Sequence, residues 1–132
     1  MVKGKILMNV PKDLMYTNDH EWAKFDNNIV TIGITDFAQG ELGDIIFVEL
    51  PEIGRELEKD EAFGTIEAVK TVTDLLAAVT GKVIEINDEI EDSPEFVNED
   101  CYGKGWFVKI EIEDLSEKDK LLSAEDYQTI ID

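Results

Sequence analysis

The apolar residues of this chain come in short runs, each cut off by turn formers, and that pattern leaves room for little but short strands. HEWAKF (20–25) and NIVTIGI (28–34) alternate in part and are parted by Asp26-Asn27-Asn28. DIIFVEL (44–50) ends at the loop from Pro51 to Gly54, and AFGTIEAV (62–69), TVTDLLAAV (71–79) and KVIEIN (82–87) follow, the last two joined across Thr80-Gly81. WFVKIEI (106–112) closes the series. Runs of this length, rich in β-branched and aromatic residues and bounded by Gly, Pro, Asn and Asp, read as strands. TDFAQGELG (35–43) instead has the spacing of one helical turn, with Thr35 or Asp36 as cap, Ala38 and Leu42 at i,i+4, and Gly43 as the stop. The tail changes period. Ser116 with Asp119 and Ser123 with Asp126 have capping-box spacing, and Ala124, Tyr127, Ile130 and Ile131 form one apolar stripe. Residues 88–105 are acidic and rich in turn formers and read mostly as loop. Strands first and helices last predict a mainly β sandwich or barrel with one or two short C-terminal helices.

The bulk numbers fit this. At 132 residues with 43% apolar content, the chain can bury one core, and no linker-like stretch divides it. The expected organisation is an N-terminal extension over residues 1–8, then one domain over 9–132. No apolar run approaches the roughly 20 residues needed to span a bilayer, and MVKGKIL is too short for a secretory signal. Twelve basic against 31 acidic residues leave a net charge of −19, which repels phosphate backbones, argues against nucleic acid and steers the chain towards basic partners. Cys101 is the single cysteine and fits a reducing, cytoplasmic setting, with a structural thiol the expected fate. His20 is the single histidine, which rules out His-rich metal sites and makes a Cys-His nucleophile improbable.

One stretch resists local rules. In IEAVKTVTDL (66–75), a fold-back would put Lys70-Thr71 at a hairpin tip, where Asn-Gly or Asp-Gly pairs are the usual residues because they tolerate positive φ. A helix is the alternative: Ile66, Val69, Val72, Leu75, Leu76 and Val79 fall at helical spacing, and Gly81 would end it. The β-branched cluster Ile66, Val69, Thr71, Val72 and Thr73 favours the hairpin. Composition alone leaves both open.

Read together, YTNDHEW (16–22), VTIGITDFAQGELGDIIFVELPEIG (30–54), IEAVKTVTDL, VTGKVIEIND (79–88) and DSPEFVNEDCYGKGWFVKIEI (92–112) resemble the H protein family of the glycine cleavage system. The resemblance covers nearly everything after Met8. It implies a lipoyl/biotinyl-type barrel-sandwich hybrid of two antiparallel sheets, with lipoic acid amide-linked to Lys70 at a hairpin tip. It also implies that the attaching enzyme, a lipoate ligase or lipoyl transferase, reads Glu67 three residues before the lysine and Gly81 eleven after. Biotin carriers of this fold flank their lysine with methionines. Here the flanks are Val69 and Thr71, so lipoate is favoured.

By the same resemblance the chain is a monomeric, non-catalytic carrier. It would take the aminomethyl group of glycine from a pyridoxal-phosphate glycine decarboxylase (P protein) to a tetrahydrofolate aminomethyltransferase (T protein). A dihydrolipoamide dehydrogenase (L protein) would then reoxidise it. The family folds the loaded arm back into a cleft, and hiding a cationic amine there calls for apolar walls and a carboxyl partner. Glu21, Asp74 and Asp19 are the expected cleft residues, His20 is read as structural, and Trp22 and Trp106 as core. The chain departs from the family pattern at Ala68, Ala78 and Phe37, where serine, proline and histidine are usual. Two other readings stay open: an H-like lipoate carrier serving lipoate relay or sulfur metabolism, and an unmodified interaction module.

Overall fold

The computed structural model describes residues 9–131. Among the described residues, nine strands form two antiparallel sheets. In the larger, β1 (Met15–Tyr16), β2 (Glu21–Asp26), β3 (Ile29–Ile34), β9 (Val108–Glu111), β8 (Gly81–Ile86) and β5 (Glu56–Leu57) lie in that spatial order. In the smaller, β6 (Ala62–Ala68) sits between β4 (Ile45–Glu49) and β7 (Val72–Leu76). Alternation does the sorting. Val30 and Ile32 of β3, Val48 of β4, Ile66 of β6, Val83 of β8 and Ile110 of β9 all turn into one buried cluster. A second cluster of Leu14, Tyr16, Trp22, Ala124 and Tyr127 anchors the C-terminal helix α4 (Ala124–Ile131) against β1.

The expectation of a hairpin rather than a helix over 66–81 holds. Glu67 pairs with Val72 and Ile66 with Thr73. The tip takes in Val69, Lys70 and Thr71, one residue more than the expected Lys70-Thr71, and Ala68 N–H donates to Thr71 C=O at 2.8 Å. Neither Val69 nor Lys70 is among the residues of positive φ, so the tip avoids the conformation that would demand glycine or asparagine. A valine and a lysine are therefore tolerated there.

Helix α1 (Asp36–Leu42) follows the sequence reading at both ends: Thr35 Oγ1 accepts from Ala38 N–H, and Gly43, at φ 78°, is the C-cap. Elsewhere the reading needs correction. Residues 88–105 hold two four-residue helices, α2 (Glu89–Asp92) and α3 (Phe96–Glu99), besides loop. Ser116 is not a cap; Asp114 caps instead, and Leu115–Lys120 is a 3-10 turn. Ser123 does cap, accepting from Asp126 N–H. Trp22 is core, but Trp106 is only half-buried. The expected extension, residues 1–8, lies outside the described residues.

Candidate functional site

Lys70 stands exposed at the β6–β7 tip, with Val69 and Val72 beside it 69% and 60% exposed. Val69 N–H donates to Asp44 C=O, which ties the tip to the loop after α1. The lysine stem lies over Gly43: a Cβ built on that glycine would sit 3.5 Å from Lys70 Cε and 4.0 Å from Nζ. Gly43 is itself pinned by Asn98 of α3, whose Nδ2 donates to Gly43 C=O (2.9 Å) and to Gln39 Oε1 (3.0 Å) while its Oδ1 accepts from Ile45 N–H. The cationic side chain thus rests at the C-terminal end of a braced helix, the end whose partial charge favours it.

Beside α1 opens a cleft of about 300 Å³. Its apolar wall is Ile34, Phe37, Ala38, Leu42 and Leu75, and its polar groups are Asp19, His20, Glu21, Glu41, Thr73 and Asp74. The three carboxyls expected from the sequence, Glu21, Asp74 and Asp19, meet here. They come from separate elements: Glu21 opens β2, Asp74 lies on β7, and Asp19 belongs to the turn between β1 and β2.

That turn is built around Thr17, whose Oγ1 accepts from Asp19 and Glu21 N–H (3.2 Å each) and donates to Glu21 Oε1 (2.8 Å). Glu21 is only 4% exposed. Burial pushes its carboxyl up to about 8, against the pull of the Thr17 hydrogen bond. At neutral pH the group is therefore mostly protonated, and a cation arriving beside it would favour ionisation. Burial lowers His20 from its ordinary range, opposed by Asp19 and Glu41.

The other two expected residues separate. Glu67 is half-buried in a row across the smaller sheet, between Phe47 of β4 and Val72 of β7. Gly81 opens β8 in the larger sheet and pairs with Leu57. A Cβ there would collide with Glu111 C=O and come within 2.5 Å of Ile110 Cγ2, so packing alone demands glycine. Glu41 and Asn98 were not singled out in the sequence; a carboxyl at i+5 from the Asp36 of α1 and an Asn inside a turn-rich segment carry no motif of their own. Cys101 is buried with its thiol pushed up to about 12, chiefly by burial, and so stays protonated and unreactive. Among the described residues no cluster of three or more His, Cys, Asp or Glu is placed to hold a metal, and no helix is long and apolar enough to cross a membrane.

Two small antiparallel sheets that lift one lysine out on a hairpin, next to a carboxyl-lined cleft, define a carrier domain of the lipoyl type. Comparison with known proteins narrows this. The model of the glycine cleavage H-protein family matches residues 14–132. Glycine cleavage system H proteins of Oceanobacillus iheyensis and Staphylococcus haemolyticus are 58% and 57% identical over 124 residues, 94% of this chain and 98% of each relative. The crystal structure of a glycine cleavage system H protein from Mycobacterium marinum superposes with a TM-score of 0.81 at 35% identity, covering 91% of this chain and 97% of that one. The chain belongs to the glycine cleavage H-protein family, the carrier subunit of that system.

Proposed function

We propose that the chain, residues 9–132 acting as one unit, carries lipoic acid on Lys70 and shuttles the aminomethyl group of glycine between the enzymes of the glycine cleavage system. The observation that carries this is the placement of Lys70: exposed on a hairpin tip, with its stem laid over Gly43, the C-cap of the helix that also walls the cleft. The residues suit the group. An exposed tip admits a modifying enzyme, Glu67 three residues earlier faces outward on the same sheet, and the cleft offers apolar walls with carboxyls at hand. When attached, the lipoyl group supplies the cyclic disulfide on which the one-carbon unit travels.

The chain's own residues present and protect. The tip reaches three visiting sites in turn, those of glycine decarboxylase, aminomethyltransferase and dihydrolipoamide dehydrogenase. Between visits Ile34, Phe37, Leu42 and Leu75 would exclude water from an attached arm, while Glu21, Asp74 and Asp19 would meet its cationic end. Glu21 would give up its proton to solvent as the cation arrives, so the ion pair would form only when both members are present and no bare buried charge would have to be maintained beforehand. The net charge of −19 favours approach to partner surfaces that are basic.

Exchange of labelled carbon dioxide into glycine, with glycine decarboxylase and the lipoate-ligase-treated chain, tests this. Wild type should support exchange, and Lys70→Arg should fold but support none. Undiminished exchange by Lys70→Arg would remove Lys70 from the account, and a lipoylated wild type inert towards the decarboxylase would point to another client.

A further inference from the structure

Tyr127 of α4 is fully buried and stacks on Tyr16, ring centroids 4.7 Å apart and planes 9° from parallel. Its hydroxyl lies 2.7 Å from Thr35 Oγ1 and 2.9 Å from His20 Nδ1. These neighbours belong to two sides of the cleft. Thr35 is the N-cap of α1, which contributes Phe37, Ala38, Glu41 and Leu42, and His20 belongs to the turn that carries Asp19 and leads into Glu21.

The ends of this chain of hydrogen bonds fix its direction. Thr35 Oγ1 already accepts from Ala38 N–H. Thr35 is wholly buried, so its own hydroxyl proton needs an acceptor, and among the described residues that is Tyr127 Oη. Having accepted there, Tyr127 turns its proton onto Nδ1 of His20. Nδ1 is then an acceptor, and the ring proton sits on Nε2.

We propose that Tyr127 is a positioning residue for the cleft: its hydroxyl joins both walls to the C-terminal helix and holds His20 as the neutral Nε2–H tautomer. The functional half of this rests on the cleft being the shelter of a cationic arm, where an imidazolium would repel the guest. Several groups push the other way. Asp19 beside His20 and Glu41 on α1 favour a charged ring, and Glu21 and Asp74 share the cleft. Burial opposes them. A donated hydrogen bond at Nδ1 stabilises only the neutral ring, so the hydroxyl adds to the burial side of the balance.

His20 is the single histidine, so long-range proton–nitrogen spectra of the full chain read its tautomer without assignment. The unmodified wild type should show Nε2–H at neutral pH. Tyr127→Phe keeps the stacked ring, and should give a mixed tautomer and raise the His20 midpoint by about half a pH unit. Thr35→Val removes the upstream donor yet leaves Tyr127 free to serve Nδ1, so it should retain Nε2–H. An Nδ1–H ring in wild type, or equal shifts in both variants, overturns the assignment, and the wild-type reading decides even if a variant fails to fold. In the lipoylated protein Tyr127→Phe should shorten the lifetime of the aminomethyl-loaded form, and an unchanged lifetime with a changed tautomer overturns the positioning role. Glu21→Ala is the separate control: if it leaves that lifetime unchanged, the shelter reading fails while the tautomer result stands.

Discussion

The Lys70 side chain lies directly over Gly43, so that any Cβ at position 43 would touch its stem at 3.5 Å. The two residues come from different elements, one a hairpin tip and the other a helix C-cap, and Asn98 holds the second in place. A long flexible side chain therefore starts its path from a fixed bed, at the C-cap of the helix that walls the cleft.

Gly43→Ala tests that bed. At φ 78° and ψ −156° the backbone occupies a region essentially reserved for glycine, so a side chain there should cost about 1–3 kcal/mol. A urea titration should show the midpoint falling by the corresponding amount. An unchanged midpoint would mean the C-cap can rearrange, and the bed with it.

Glu21 gives stability a pH dependence of unusual sign. Its folded value of about 8 stands above the ordinary glutamate value of 4.5, so the folded state holds a proton that the unfolded state has lost. Below the unfolded value this costs nothing. As pH rises from about 4.5 to about 8 the folded state loses stability, and above that the loss levels off. Glu21→Gln keeps an oxygen to accept the Thr17 hydrogen bond and removes the ionisation. Relative to wild type it should gain on the order of 3 kcal/mol more at about pH 8.5 than at about pH 5, by urea titration at both. The same variant should shorten the lifetime of the aminomethyl-loaded form, since no carboxylate remains to meet the amine. Parallel stability curves for the two proteins would refute the buried, protonated carboxyl.

Gly81→Ala should destabilise through collision with Glu111 C=O and Ile110, by about 1–3 kcal/mol in thermal or urea melts. Its effect on lipoate attachment must then be measured below the melting transition. Loss of attachment by a fully folded variant would support a reading of Gly81 by the ligase, and retained attachment would leave packing as its whole role.

The sequence carried the longer strands because a sheet buried on one face writes its period into the chain, as in NIVTIGI for β3 and KVIEIN for β8. It also carried α1, whose Thr35 and Gly43 are local signals. It could not carry β1 or β5, two residues each, which exist because a neighbouring strand pairs with them. Helices α2 and α3 are four residues long and lack side-chain caps, so nothing in DEIEDSPEFVNED announces them; burial of Ile90 and Val97 holds them. Of the candidate site, Lys70 and the three carboxyls were legible through resemblance, with Asp74 far along the chain from Asp19 and Glu21 and beside them only in the fold. The Tyr127 link from α4 to the cleft spans 107 residues to His20 and 92 to Thr35, and no pattern along the chain encodes such a contact.

Peptide mapping by mass spectrometry, after the full chain is incubated with lipoate ligase, lipoate and ATP, addresses the central claim without any partner enzyme. A single lipoyl adduct on Lys70, absent from Lys70→Arg, is the predicted result. No adduct on wild type, or one carried by a different lysine, would contradict it.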